Sequence, residues 1–152
     1  MDWRDDPVGS AHRGENPMVI ARMRSGFAVI GHTQHLPGYS LLLCEDPSVD
    51  HLTDLPLDRR QAFLLDMALL GEAVERVCHA RRINYEVLGN SLPLLHAHVH
   101  PRYEWEPAEL SGGPVWRYPD AVRAEHPYSD EEHGELRETI RSELERVMRS
   151  AY

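Results

Sequence analysis

Three imidazoles at alternating positions, His96, His98 and His100, are the side chains of this sequence best suited to chemistry. Alternate residues of a strand point to one side, so the three share a face, about 6.5–7 Å apart along the chain. Leu95, Ala97 and Val99 fall on the opposite face and belong in a core. Three polar rings make poor core, so their face lines a cleft or is covered by polar partners. Three readings are open at this point. The rings are satisfied structural histidines, or they are metal ligands, since His-X-His on a strand can supply two to zinc. The third reading is metal-free nucleophilic or acid–base catalysis, because imidazole titrates near neutral pH. For the metal reading, His32 and His35 are further candidates, but no acid or thiol stands at a convincing spacing.

The elements that must position these rings follow from periodicity and turn chemistry. Residues 1–17 carry Pro, Gly and charge without a period and read as a loosely ordered arm. Short strands are expected over 18–23, 27–30 and 39–44, with Leu36-Pro37-Gly38 as the turn of a hairpin. Asp54 and Pro56 announce a long helix over 57–81, with Phe63, Met67, Leu70, Val74 and Val77 as its core stripe. Residues 83–88 alternate as a strand, and Gly89-Asn90-Ser91 turns the chain into the histidine strand. Pro101 is expected to stop that strand, having no amide hydrogen for the ladder. The stretch 101–127 is too long for a plain connector, and Tyr103-Glu104-Trp105-Glu106-Pro107 is a candidate cover for the cleft. Ser129 caps a final helix with Glu132 at the capping-box position and Leu136, Ile140, Leu144 and Val147 as its buried stripe. Strands without regular β-α-β alternation point to an α+β fold. It holds an antiparallel sheet of about five strands, one long central helix and a C-terminal helix. The organisation is an arm (1–17), a catalytic domain (18–105) and an extension (106–152) packed on the same domain.

Bulk properties narrow the function. The 152 residues fit one domain. Acidic residues outnumber basic ones 25 to 16, a formal charge of −9, which disfavours binding a nucleic acid polymer but not a small anion held by local donors. No run of about 18 apolar residues exists, so no membrane span is expected. The polar N-terminus lacks an apolar core, and Cys44 and Cys78 have no metal-type spacing; both fit a cytoplasmic protein with reduced thiols.

Gly89-Asn90-Ser91 through Leu94-Leu95-His96-Ala97-His98-Val99-His100-Pro101-Arg102 resembles the signature strand of the histidine triad (HIT) family. That family carries His-φ-His-φ-His-φ-φ (φ apolar), commonly followed by Pro-Arg. The hairpin through residues 26–43 and the helix through 57–81 extend the resemblance over about residues 18–105. Aligning on Gly89-Asn90 and Pro101-Arg102 without a gap puts Leu94, His96 and His98 at the three triad positions. In that register the nucleophile is His96. The family often has a further histidine just after Pro-Gly, where Tyr39 stands here.

The resemblance implies hydrolysis of a nucleotide phosphoanhydride or related conjugate, such as a dinucleoside polyphosphate, through a nucleotidyl-histidine intermediate. A nucleotidyl transferase or phosphorylase, or a nucleotide-binding protein with weakened catalysis, is the alternative. It assigns His98 to the phosphate, Asn90 and Ser91 to phosphate contacts, and His32 to the ribose. Arg102 either meets phosphate or serves a structural ion pair, and His100 is a possible extension of the site. The resemblance implies no cofactor and no metal, with a homodimer as the assembly.

Overall fold

The alternation read around His96, His98 and His100 is realised: Leu95, Ala97 and Val99 between and before them are fully buried. The computed structural model describes residues 1–152. In chain order they form helix α1 (Pro7–His12), strands β1 (Val19–Arg22), β2 (Gly26–Ile30) and β3 (Ser40–Cys44), and helix α2 (Leu57–Cys78). Strands β4 (Arg82–Glu86) and β5 (His96–Arg102) follow, then helices α3 (Ala108–Ser111), α4 (Asp120–Ala124) and α5 (Asp130–Ala151). The five strands make one antiparallel sheet in the order β1-β2-β3-β5-β4. This is the α+β architecture read from the sequence.

Both long helices pack on one face of the sheet, with α2 against β3 and β5 and α5 against α2 and β1. Phe63, Leu70, Ala73 and Val74 of α2 are fully buried there, with Ala97 and Val99 of β5 and Ile140 and Leu144 of α5. Burying so many branched chains between two layers is the main stabilising term. Asp66 lies in the same layer at 0% exposure. It is tolerated because it accepts hydrogen bonds from the backbone and hydroxyl of Ser25 and from the Tyr152 hydroxyl. No helix is long and apolar enough to cross a membrane.

Two sequence expectations are corrected here. The first 17 residues are not loose: Asp6 caps α1 by accepting from the Gly9 amide, and Val8 and Ala11 join the main core. Pro7 at the first helical position supplies a φ already suited to the helix, so the segment folds once a surface exists to receive it. Nor does Pro101 stop the histidine strand, for β5 continues through Pro101, paired with Ile83, to Arg102. The reason is geometric. The Arg102 carbonyl faces β4, accepting from the Arg81 amide, so the nitrogen of Pro101 points to the β3 side. There the ladder with β3 ends at Ser40–Val99, and no hydrogen bond is lost.

Candidate functional site

The sheet's other face gathers the imidazoles in register. Val29, Leu41, His98 and Glu86 stand side by side across β2, β3, β5 and β4, and the next rows put Leu43 beside His96 and Asn84 beside His100. Because β5 is regular, the three rings follow one another along it. His96 and His98 are 4.9 Å apart edge-on, and His98 and His100 are stacked at 5.6 Å with planes 3° apart.

Each ring is held differently. Nδ1 of His96 lies 2.6 Å from the Leu94 carbonyl oxygen, which can only accept, so Nδ1 carries the proton and Nε2 keeps a free lone pair. The Tyr39 hydroxyl lies 2.7 Å from Nδ1 of His98 and makes no other hydrogen bond; with the phenol donating, the arrangement that satisfies its buried O–H, His98 presents an N–H at Nε2. Burial raises the Tyr39 pKa far above the ordinary phenol value, so this donor persists. The same phenol ring stacks on His100 at 4.4 Å. Burial, with His96 nearby, lowers His98 to about 4; burial, with His98 alongside, lowers His100 to about 3. Glu86 stands 3.5 Å from Nε2 of His100, beyond good hydrogen-bonding distance, and burial pushes its carboxyl up. His100 is therefore neutral near pH 7, and the two do not form an ion pair.

Three hollows surround these rings. His96 borders one of about 270 Å³ with His51, Leu88 and Gly89. His98 and His100 border a second of about 180 Å³ with Tyr39, Glu86, Trp116 and Arg123. Leu88 lines both, so the rings share a neighbourhood but open onto adjoining hollows. A third of about 330 Å³ is apolar, formed by Trp3, Met18, Leu41, Leu43 and Leu92. It lies beside His96 and His98, because Leu43 and Leu41 are their register partners. His32, exposed, borders both the apolar hollow and the 180 Å³ cavity. No three His, Cys, Asp or Glu side chains converge to hold a metal ion.

The remaining sequence candidates are sorted by where they fall. Asn90 and Ser91 are exposed on the turn following Gly89, whose φ of +72° makes the reversal; neither lines any of these three hollows. Arg102 is 2% exposed and takes the structural alternative, not the phosphate one. It grips the Glu106 carboxylate through Nε and an end nitrogen at 2.9–3.1 Å and donates to Asn84 and to the Leu110 and Gly113 carbonyls. Burial would raise Glu106, but bonds from Arg102, Tyr118 and the Tyr103 amide hold it low. Nor does the 103–107 segment cover the cleft. The Tyr103 hydroxyl donates to the Pro37 carbonyl, Trp105 stacks on Tyr103 facing solvent, and Glu106 is buried. The covering residues are Val115, Trp116 and Arg123, from the chain that continues after α3. Sequence reading missed Glu86 and Arg123 as site neighbours. Strand register alone puts Glu86 beside His98, and nothing local marks Arg123.

No protein-family model matches the chain, and no curated protein does. Solved structures do. A histidine triad protein from Sinorhizobium meliloti is similar with 22% identity and a TM-score of 0.72, over 83% of this chain and 88% of the other. A histidine triad protein from Marinobacter aquaeolei gives 24% identity and a TM-score of 0.71, over 85% and 89%. A hypothetical histidine triad nucleotide-binding protein from Sulfolobus tokodaii gives 15% identity and a TM-score of 0.70, over 92% and 91%. At such identities the likeness is one of fold.

Proposed function

We propose that this chain, folded as the histidine triad proteins are, transfers a nucleotidyl group to His96 and releases it to water as a nucleoside monophosphate. The observation that carries the reading is the bond from His96 Nδ1 to the Leu94 carbonyl. It leaves Nε2 with a lone pair for the α-phosphorus, while the neighbouring His98 offers an N–H to the phosphoryl oxygens. In the first step the Nε2 lone pair forms the N–P bond, and the bond from phosphorus to the leaving group breaks with its pair. In the second, water attacks phosphorus, the N–P pair returns to His96, and a proton passes to solvent.

The apolar hollow against Leu41 and Leu43 suits a nucleobase, and His32 at its rim suits a ribose hydroxyl. Asn90 and Ser91, on the turn ahead of β5, reach a phosphate only if the turn folds inward on binding. Water as the final acceptor makes the protein a hydrolase; another nucleophile in its place makes a transferase by the same covalent step.

Incubation with a set of adenylyl conjugates, their leaving groups ranging from phosphate and sulfate to the second nucleotide of diadenosine polyphosphates, should release AMP from at least one. His96→Ala should fall to background and His98→Ala by about 10²–10³-fold, the usual loss of one oxyanion donor. Equal rates for wild type and His96→Ala would refute the assignment. Turnover kept by His96→Ala and lost by His98→Ala would move the nucleophile one step along β5.

A further inference from the structure

The 180 Å³ cavity beyond His98 has no part in the nucleophilic role of His96. It opens beside His98 and His100 and does not reach His96. The Tyr39 ring and Glu86 line it from the sheet, and Trp116 and Arg123 wall it from outside. Two of its imidazoles are more than nine-tenths buried with a nitrogen lacking any partner: Nε2 of His35 and Nδ1 of His100. Nε of Arg123 also lacks one, while its outer nitrogen pairs with the solvent-exposed Asp120. Buried nitrogens left unpaired cost free energy, and the walls of this cavity hold three of them.

We propose, resting on the nucleotidyl transfer described above, that this cavity receives the leaving group, and that the group is a compact oxyanion of phosphate or sulfate size. Position argues first. Phosphoryl displacement runs in line, so the leaving group departs on the side of phosphorus away from the nucleophile. The rings follow one another along β5, and this cavity opens beside His98, the ring next to His96 and 4.9 Å from it. Size argues second, because about 180 Å³ falls below the roughly 300 Å³ at which pockets for drug-sized ligands begin. Charge argues third. Arg123 is the one cationic side chain lining the cavity, and a guanidinium suits an oxyanion by geometry as well as sign. Glu86 faces the same space from the sheet and offsets part of that charge.

The departure itself fits an anion. Burial keeps His98 and His100 neutral near pH 7, so neither delivers a full proton. A phosphate or sulfate needs none: the P–O bond breaks, its electron pair stays on the departing oxygen, and the N–P bond forms on His96. An alkoxide or amide leaves only with a proton, which a neutral imidazole gives up far less readily than an imidazolium.

Calorimetric titration of the wild-type protein with non-hydrolysable ligands tests this. α,β-Methylene ADP, which adds one phosphonate-linked phosphate to the nucleotide, should bind at least about tenfold tighter than AMP, the gain expected from charge-assisted hydrogen bonds. A methylene-bridged diadenosine analogue should gain nothing over AMP, and Arg123→Gln should bring α,β-methylene ADP to about the AMP affinity. Equal affinity of AMP and α,β-methylene ADP in the wild type would overturn the inference and leave the nucleotide reading standing. So would a preference that survives both Arg123→Gln and Trp116→Ala. Failure of every nucleotide to bind would overturn the nucleotide reading and this one with it.

Discussion

Replacing Arg102 by Met separates a structural role from a substrate contact. The guanidinium is 2% exposed, its Glu106 partner is buried, and five acceptor atoms surround it: both carboxylate oxygens, Asn84 Oδ1 and the Leu110 and Gly113 carbonyls. Removing one partner of a buried pair strands the other, at a cost of roughly 3–5 kcal/mol. The Leu110 and Gly113 carbonyls and Asn84 add to that wherever water does not enter. For a chain of this length each kcal/mol shifts the melting temperature by roughly 2–4 °C, so Arg102→Met should lower Tm by about 6–20 °C. Thermal melts and urea titrations followed by circular dichroism measure this. The double variant Arg102→Met/Glu106→Gln should lose less than the sum of the singles, because the stranded carboxylate is gone. Nucleotide affinity, measured well below the lowered Tm, should stay within about twofold, since this guanidinium reaches no hollow. An unchanged Tm with a large loss of nucleotide affinity would refute the reasoning and return Arg102 to the phosphate.

Stability should fall as the medium is acidified from about pH 6.5 towards 4. Burial holds His35 and His98 at about 4 and His100 at about 3 in the folded chain, below the unfolded histidine value of about 6.5. The unfolded chain binds more protons through that window, so this contribution is complete above about pH 6.5 and shrinks below it. The raised carboxyl of Glu86 acts in the opposite sense, one group against three. Urea midpoints at pH 7.5 and 5 measure the slope, and a midpoint unchanged by acid would contradict it. The homodimer implied by the histidine triad resemblance should form along β4, the open edge of the sheet beyond β5, where Tyr85, and Val87 just past the strand, are 41% and 40% exposed. Sedimentation should give twice the 17.4 kDa chain mass, and Val87→Lys should weaken the pairing; a monomer at tens of micromolar wild type would dismiss it.

Much of this protein was legible before any coordinates. Period two at His96, His98 and His100 put the rings on one face, and period 3.6 with capping located α2 and α5, because both patterns are set by local backbone geometry. The tautomer of His96 is nearly local too, its acceptor being the carbonyl two residues back. What sequence could not decide depends on partners distant along the chain. Pro101 remains in a strand because β3 begins only opposite Val99. Arg102 turns inward because Glu106 and the Leu110–Gly113 carbonyls fold back over it. The arm of residues 1–17 orders because Val8 and Ala11 find a core built by later elements. Likewise the cavity beside His98 exists only because residues 115–123 return across the sheet to Tyr39 and Glu86. Spacing fixes which side chains can share a face; burial, ion pairing and cavity walls arise only when segments remote in sequence exclude water from one another.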